Sequence, residues 1–453
     1  MAAILSLKMR LFYGAMIISA VGLMMGSAAS IPFFVESSSI LYKFGLDRTL
    51  LRTGKIVGIL AGCLVMLQLV LASRLKFLDR VFALNTLLNT HRTIGIFIAL
   101  GAVIHPALIL YSEDMLIIPL ELRYWPEFVG VFLLAVILGT VTTAAGRLFF
   151  GLSFDRWRIL HQTAVLIAAA AFFVHVLFVS DSFGTGAPRI MVFSAMGAYG
   201  LLYSWVKLRF LRIRRKPFTV SGIRPVGREA FGLTLEPESV NGTAGIFPYL
   251  PGQFGFIRIT SSALSAEEHP FTIASAPTRP GSLEFVIRTS GDWTRRIGRV
   301  SPGDPVFIDG PYGFFTHLRG QTQQEIIMIA GGIGITPMLS MLRYMADKGD
   351  PRKITLIWSN RTREHIIFPD EFKALESRLR GLAVTYVITE AQDAGPESGR
   401  LDQSALQRLL SGSGRRSAMV FVCGPPQMMF DITKALVRMG FLRRSIFTER
   451  FSL

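Results

Sequence analysis

Six stretches of the chain, near residues 11–34, 53–72, 91–111, 127–146, 159–180 and 188–208, are apolar for the roughly 20 residues a helix needs to cross a bilayer. Hydrocarbon offers no partner to backbone polar groups, so these runs can only bundle as helices. After Pro217 the pattern changes to short apolar runs broken by Gly and Pro, which reads as a soluble α/β protein. Of the 453 residues 51% are hydrophobic, too many for an ordinary soluble enzyme. The first run is longer than a signal-peptide core and no clear A-x-A site follows it, so it is expected to remain as the first helix.

The net charge of +17 raises the question of a nucleic-acid partner, and its distribution answers no. Residues 1–216 hold 21 Lys+Arg against 9 Asp+Glu, and much of that excess sits in alternate loops. Lys8 and Arg10, then Arg74, Lys76, Arg80 and Arg92, then Arg147, Arg156 and Arg158, and finally "KLRFLRIRRK" fall on one side. Glu113, Asp114, Glu121, Glu127 and Asp181 fall on the other. The positive-inside rule then puts both termini, and everything after Lys216, in the cytoplasm of a protein in the plasma or inner membrane. The basic linker can also hold the soluble half against anionic lipid. Two cysteines, Cys63 and Cys423, make no disulfide framework. The glycosylation-like "NGT" and "NRT" fall in the cytoplasmic half and read as chance.

The chain has seven histidines, and four of them bracket two apolar segments. "HRTIGIFIALGAVIH" runs from His91 to His105 and "HQTAVLIAAAAFFVH" from His161 to His175. Fourteen residues of helix rise about 21 Å and return to nearly the same face. The third and fifth runs cross in the same direction, so His91 comes level with His161 and His105 with His175. A lone membrane histidine can serve interhelical hydrogen bonding alone. Two matched pairs point instead to six-coordinate haem iron, with two imidazoles at each level. Each level lacks the carboxylate or thiolate of a zinc site. Ala168–Ala171, Gly95 and Gly101 leave room for flat macrocycles.

This first half resembles the ferric-reductase-type transmembrane domain shared by membrane ferric reductases and NADPH oxidases. The resemblance implies two b-type haems on His91, His161, His105 and His175. It extends into the second half. "PYLPGQFGFIRI" and "EEHPFTIASAP" read as strands of a small β-barrel with a Pro-Gly turn. "HPFTIASAP" is similar to the flavin segment of the ferredoxin-reductase superfamily, which implies that His269, Pro270, Phe271 and Thr272 line FAD. The Thr272 hydroxyl would then lie near the reactive flavin nitrogen. In "VIRTSGDWT" the resemblance implies that Arg288, Gly291, Trp293 and Thr294 meet the FAD pyrophosphate. "GGIGITPM" follows an apolar strand and opens a helix, the setting in which glycines and a helix N-terminus receive a nucleotide's pyrophosphate. It is similar to the nicotinamide-nucleotide loop of the superfamily, implying roles for Gly331, Gly332, Gly334 and Thr336. "VFVCGPPQMM" resembles the segment beside the nicotinamide, with Cys423 and Gly424 as the matching residues. After the strand "ITLIW" stand Ser359 and Arg361, with no acidic residue before Glu364. NAD-specific sites place a carboxylate there for the ribose, so the turn favours NADPH over NADH. At the chain end, "FTERFSL" resembles the family's aromatic terminus, implying that Phe451 stacks on the flavin and Glu449 helps to position the nicotinamide.

The expected organisation is a six-helix transmembrane bis-haem bundle (1–216), an FAD-binding β-barrel (217–320) and an NAD(P)H-binding α/β domain (321–453). The expected reaction passes electrons from cytoplasmic NAD(P)H through FAD and both haems to an extracytoplasmic acceptor. Dioxygen is the first expectation, a ferric or cupric chelate the alternative, and a separate extracytoplasmic redox protein the third. Thr272, Cys423, Glu449 and Phe451 are the expected catalytic residues. No EF-hand loop is present and the outer loops are short, so calcium control within the chain is not expected.

Overall fold

The computed structural model describes residues 7–35, 44–115, 117–147, 149–179, 181–214, 218–240, 243–244, 247–262, 264, 267–279, 281–320, 323–390, 398–414 and 417–450. The chain divides into two compact units, Leu7–Phe210 and the residues from Leu211 onward.

The first unit is helical: α1 (Leu7–Phe34), α2 (Gly45–Ala72), a short α3 (Lys76–Phe82), α4 (Leu84–Ser112), α5 (Trp125–Ala145), α6 (Phe154–Val179) and α7 (Gly186–Arg214). Large apolar side chains face outward on these helices, among them Leu23, Phe97 and Leu201. Helices apolar on every side belong in lipid or in a large core. Among the described residues five spans are long and apolar enough to cross a membrane: Lys8–Phe34, Gly45–Ala72, Leu84–Ser112, Leu122–Ala145 and Arg156–Val179. The sixth expected span also forms a helix, α7, but Tyr199, Tyr203, Ser204 and Lys207 dilute its apolar stretch below that standard.

α2 packs antiparallel on α4, and α5 on α6. Gly54, Gly58 and Gly62 recur every fourth residue along α2, the small-residue spacing that lets membrane helices approach closely. A Cβ on Gly54 would stand 2.8 Å from Ile109 of α4, and one on Gly62 would stand 2.6 Å from the Phe172 ring of α6.

The second unit contains two larger sheets. The first joins β1 (Phe218–Pro225), β2 (Ala230–Pro237), β5 (Phe254–Ile259), β6 (His269–Thr272), β7 (Leu283–Arg288) and β8 (Pro305–Tyr312) in the order β6-β5-β8-β1-β2-β7. β3 (Ser239–Val240) and β4 (Thr243–Ala244) form a separate two-stranded ribbon. The expected barrel is a half-barrel sheet here: its edge strands meet only at one bridge, Ile273 to Phe285. Inside it Leu233, Leu235, Ile257, Ile259 and Phe285 are fully buried. The Pro-Gly turn needs its glycine, since Gly252 has φ +90° and a Cβ there would collide with the Phe315 carbonyl.

The other sheet is parallel, β11 (Leu382–Ile388), β10 (Lys353–Asn360), β9 (Glu325–Gly331), β12 (Ala418–Cys423) and β13 (Ile446–Glu449), in that order. Helices α9 (Thr336–Lys348), α10 (Pro369–Arg378), α11 (Gln403–Leu409) and α12 (Pro426–Arg438) connect the strands, and a single turn, α8 (Asp292–Arg295), follows β7. β9 and β12 are buried along their whole length, which is why "EIIMIAG" and "AMVFVC" are continuously apolar rather than alternating.

A buried cation ties the two sheets together. Arg343 on α9 donates to the Ala274 carbonyl at 3.0 Å and to Glu284 of β7, and grips Glu371 of α10 at 2.7 and 2.8 Å. Burial opposes its charge, but the two carboxylates outweigh burial and raise its pKa.

His317, between β8 and β9, is 1% exposed. Burial, reinforced by Arg352 and only partly countered by Asp350, pushes its pKa down to about 3 from 6.5. Between those values the unfolded chain binds a proton that the folded one refuses. Stability from this residue is therefore complete above about pH 6.5 and is lost as pH falls toward 3. The melting temperature of the detergent-purified protein should drop between pH 7 and 5.5, and the drop should be smaller in His317→Leu, measured by differential scanning fluorimetry at both pH values.

Candidate functional site

In the helical unit, the ring centroids of His91 and His161 lie 6.4 Å apart, and those of His105 and His175 also 6.4 Å. A metal–imidazole bond is about 2 Å, so one metal between two facing ring nitrogens puts the ring centres roughly 6 Å apart. Each pair therefore has the span of a bis-imidazole site. Among the described residues no group of three or more His, Cys, Asp or Glu could hold a metal ion. The remaining ligands would have to come with the metal, as they do in a haem.

The way the rings are held supports the same use. His105 Nδ1 lies 2.8 Å from the Gly54 carbonyl, His175 Nδ1 2.9 Å from that of Pro126, and His91 Nδ1 3.3 Å from that of Gln68. With the proton on Nδ1 donated to a carbonyl, Nε2 keeps its lone pair for a metal. Gly54 and Gln68 are fourteen residues apart, as are His91 and His105, so one antiparallel register of α2 on α4 serves both rings. Glycines make space for the other pair: a Cβ on Gly58 would stand 2.7 Å from His105 Nδ1, and one on Gly130 2.6 Å from the His175 ring.

Gly54, Gly58, Gln68 and Gly130 are absent from the motif-based reading. Only the G-x-x-x-G-x-x-x-G spacing of α2 signals part of this set. A second feature was also missed. α2 begins at Gly45, eight residues before its expected start, and so adds Arg48 and Arg52 to Lys55, already within the expected run, at the end of the bundle that holds His105 and His175. Their spacing puts them on one helix face. Arg52 also lies 4.7 Å from the Phe33 ring centre. Nearby Glu113, just beyond α4, is held above the ordinary carboxylate range by burial and by Glu127, against the pull of Lys55.

In the second unit, the parallel sheet reverses its winding between β9 and β12, and ligands of such sheets bind outside the carboxyl ends of the strands at that point. Gly331, Gly332, Gly334, Cys423 and Gly424 all lie there. Gly334 is required by close packing, since a Cβ would meet the Cys423 carbonyl, and Gly331 packs on Pro425 and Met428. Gly332 has φ +52°. The Thr336 hydroxyl is used within the turn, donating to the Ile333 carbonyl at 3.1 Å.

A cleft of about 880 Å³ opens at this edge, lined by Gly331, Gly332, Ser359, Arg361 and Arg288. Arg288, expected at the flavin pyrophosphate, thus reaches the nucleotide cleft: its Nη1 is 3.9 Å from where a Cβ on Gly332 would be. Sequence reading missed Arg400, Lys434 and Arg438 in the same wall. Lys434 and Arg438 are one turn apart on α12, the only hint in their spacing. Asn360, also in the wall, is buried and neither polar atom of its amide has a hydrogen-bond partner among the described residues.

On the half-barrel, His269, Phe271 and Trp293 form one aromatic group, with Trp293 4.4 Å from His269 and 5.9 Å from Phe271. Pro270 pairs with Phe256, and the buried Thr272 with Phe254. Gly291 and Thr294 are partners of one another: the Thr294 hydroxyl accepts the N–H groups of Ser290 and Gly291, each at 2.9 Å. Cys423 is fully buried, its thiol pushed up by burial and by Glu449, and it donates to the Glu449 carbonyl at 3.4 Å. The Glu449 carboxylate stands 3.7 Å from a Cβ placed on Gly313, beside the Phe254 ring. Cys423 and Glu449 are thus in direct contact, and Phe254, the strand partner of Thr272, lies beside Gly313. Phe451 lies outside the described residues.

Three families match successive parts of the chain: "Ferric reductase like transmembrane component" over 57–173, "FAD-binding domain" over 239–316 and "Oxidoreductase NAD-binding domain" over 328–434. The reductase component of propane 2-monooxygenase from Rhodococcus jostii is 29% identical over 51% of this chain and 62% of its own length. NADH-cytochrome b5 reductase 2 of Mycosarcoma maydis is 26% identical over 48% and 63%. The chain therefore spans about three fifths of these relatives. The crystal structure of the cytochrome b5 reductase domain of Ulva prolifera nitrate reductase is 20% identical, covering 52% of this chain and 97% of that one with a TM-score of 0.46.

Arg361→Ala should raise KM for NADPH by about tenfold to a hundredfold, the usual worth of a hydrogen bond to a charged group, and KM for NADH far less. Steady-state kinetics with both nucleotides checks this, and equal use of both by the wild type would refute the 2′-phosphate assignment.

Proposed function

From the ferric reductase and NADPH oxidase architecture of this chain, a ferric-reductase-like transmembrane component followed by FAD- and NAD-binding domains, we propose a transmembrane oxidoreductase. It moves electrons from NADPH through FAD and two b-type haems to an acceptor across the membrane, and that acceptor is dioxygen. The observation that carries this reading is the pair of imidazole couples at 6.4 Å in an apolar bundle. Residues 1–216 form the membrane bundle with α7 as its sixth span, 217–320 the FAD domain and 321–453 the NAD(P)H domain, with the dehydrogenase half in the cytoplasm.

Bound there, FAD would convert a two-electron hydride donor into single-electron steps and the haems would pass those electrons on. His91 and His161 would hold one haem and His105 and His175 the other, leaving no open iron position, which suits outer-sphere electron transfer. Gly331, Gly332 and Gly334 let the nucleotide approach the backbone, while Ser359 and Arg361 receive its 2′-phosphate. His269, Pro270, Phe271, Thr272, Gly291, Trp293 and Thr294 line the flavin. Cys423, Gly424 and Glu449 would bound the nicotinamide side, and the family resemblance gives Phe451 the role of an aromatic cover for the flavin.

A second acceptor, an anionic ferric or cupric chelate, is favoured by the stripe of Arg48, Arg52 and Lys55 at the His105–His175 end. A third role, feeding a separate redox protein, is favoured by the likeness to a monooxygenase's reductase component. Purified protein given NADPH separates them. Superoxide-dismutase-sensitive reduction of cytochrome c supports dioxygen, dismutase-insensitive reduction of ferric citrate supports the chelate, and negligible turnover with either supports the feeding role.

The wild type should carry two low-spin haems per chain by pyridine haemochrome assay and visible spectra. His105→Ala or His175→Ala should remove one of them and leave the other reducible by NADPH. High-spin spectra in the wild type would overturn the ligand set.

A further inference from the structure

Three of the four imidazoles have a backbone acceptor for Nδ1, and His161 does not. Its Nδ1 is buried and has no hydrogen-bond partner among the described residues. The Pro126 carbonyl of α5 serves His175. Fourteen residues along each helix, the same register would offer His161 the carbonyl of Thr140. That carbonyl takes the longer arm of the Thr143 hydroxyl's bond, 3.2 Å against 2.7 Å to the Gly139 carbonyl, and does not accept from His161. The opposite ligand is held twice over, since the Gln68 carbonyl faces His91 Nδ1 and the Gln68 amide donates to the His91 carbonyl at 3.1 Å.

An imidazole with no in-plane partner can turn about its Cβ–Cγ bond, a torsion with broad minima. A different contact restrains this one. The indole of Trp157, one turn earlier on α6, stacks on the His161 ring with centroids 5.2 Å apart and planes 30° apart. Phe154 closes on the indole from the preceding turn, at 5.7 Å. Offset stacking of this kind selects a ring orientation.

We propose that Trp157 is a positioning residue for the His91–His161 haem: its indole face sets the plane of His161, the work that a backbone carbonyl does for the other three ligands. This rests on the bis-histidine haem reading above. The orientation of an axial imidazole shapes the electronic structure of low-spin iron, so the effect is readable in spectra without any turnover. It acts on one haem of the two, and the His105–His175 haem serves as an internal control in the same sample.

The test uses full-length protein with Trp157→Phe, which keeps an aromatic face, and Trp157→Leu, which removes it. Low-temperature electron paramagnetic resonance and a redox titration are recorded with haem content measured in parallel. In Trp157→Leu one of the two low-spin signals should shift its largest g value and one of the two midpoints should move, or that haem alone should be lost, with the other haem unchanged. Trp157→Phe should restore the wild-type signal and midpoint. A Trp157→Leu protein with both signals and both midpoints unaltered overturns the proposal, as does a Trp157→Phe protein as perturbed as Trp157→Leu. A wild type without two low-spin haems would instead bring down the bis-histidine reading, and this inference with it.

Discussion

An imidazole N–H is costly to leave unpaired inside an apolar bundle, and most carbonyls of the surrounding helices already accept within their own ladder. The helical unit meets this constraint by giving selected carbonyls a second donor. Gly54, Gln68 and Pro126 each present their backbone oxygen to a histidine of the neighbouring helix. That contact requires helices close enough for a ring to touch the opposite backbone, and glycine at 58 and 130 supplies the space. For His91, His105 and His175 the same approach brings Nδ1 to a carbonyl and leaves Nε2 free of that contact. Helix packing and ring placement are therefore one arrangement.

The second unit is organised around a different constraint, the carboxyl edge of a parallel sheet. β9 and β12 end side by side where the winding reverses, so two glycine-bearing turns face one cleft. Arg343 joins this sheet's first helix to the strands of the half-barrel. A buried guanidinium with four oxygen contacts resists sliding of one sheet on the other, because losing any carboxylate would leave charge uncompensated in the interior.

Charge in the membrane half illustrates where sequence reasoning stops. The basic residues in loops follow the positive-inside pattern and are easily read. Arg48, Arg52 and Lys55 are not in a loop: Arg48 and Arg52 occupy a helical extension ahead of the expected run 53–72, and Lys55 lies inside that run. Their position on the turns that carry Gly54 and Gly58 places them at the His105–His175 end.

Local pattern alone determined much of this protein. Runs of about twenty apolar residues dictate membrane helices, a fourteen-residue spacing dictates that paired histidines share a face, and a strand ending in "GGIGITP" dictates a turn open to a nucleotide. These are short-range consequences of helix pitch and backbone sterics, so they are legible without knowing any neighbour. Tertiary structure decided what depends on register between distant segments. Nothing in the sequence near His105 points to Gly54, fifty-one residues away, and nothing near Gly332 points to Arg288 or Arg400. The hydrogen bonds between Gly291 and Thr294, and the stacking of Trp157 on the one histidine whose Nδ1 has no partner among the described residues, likewise appear only in the folded packing.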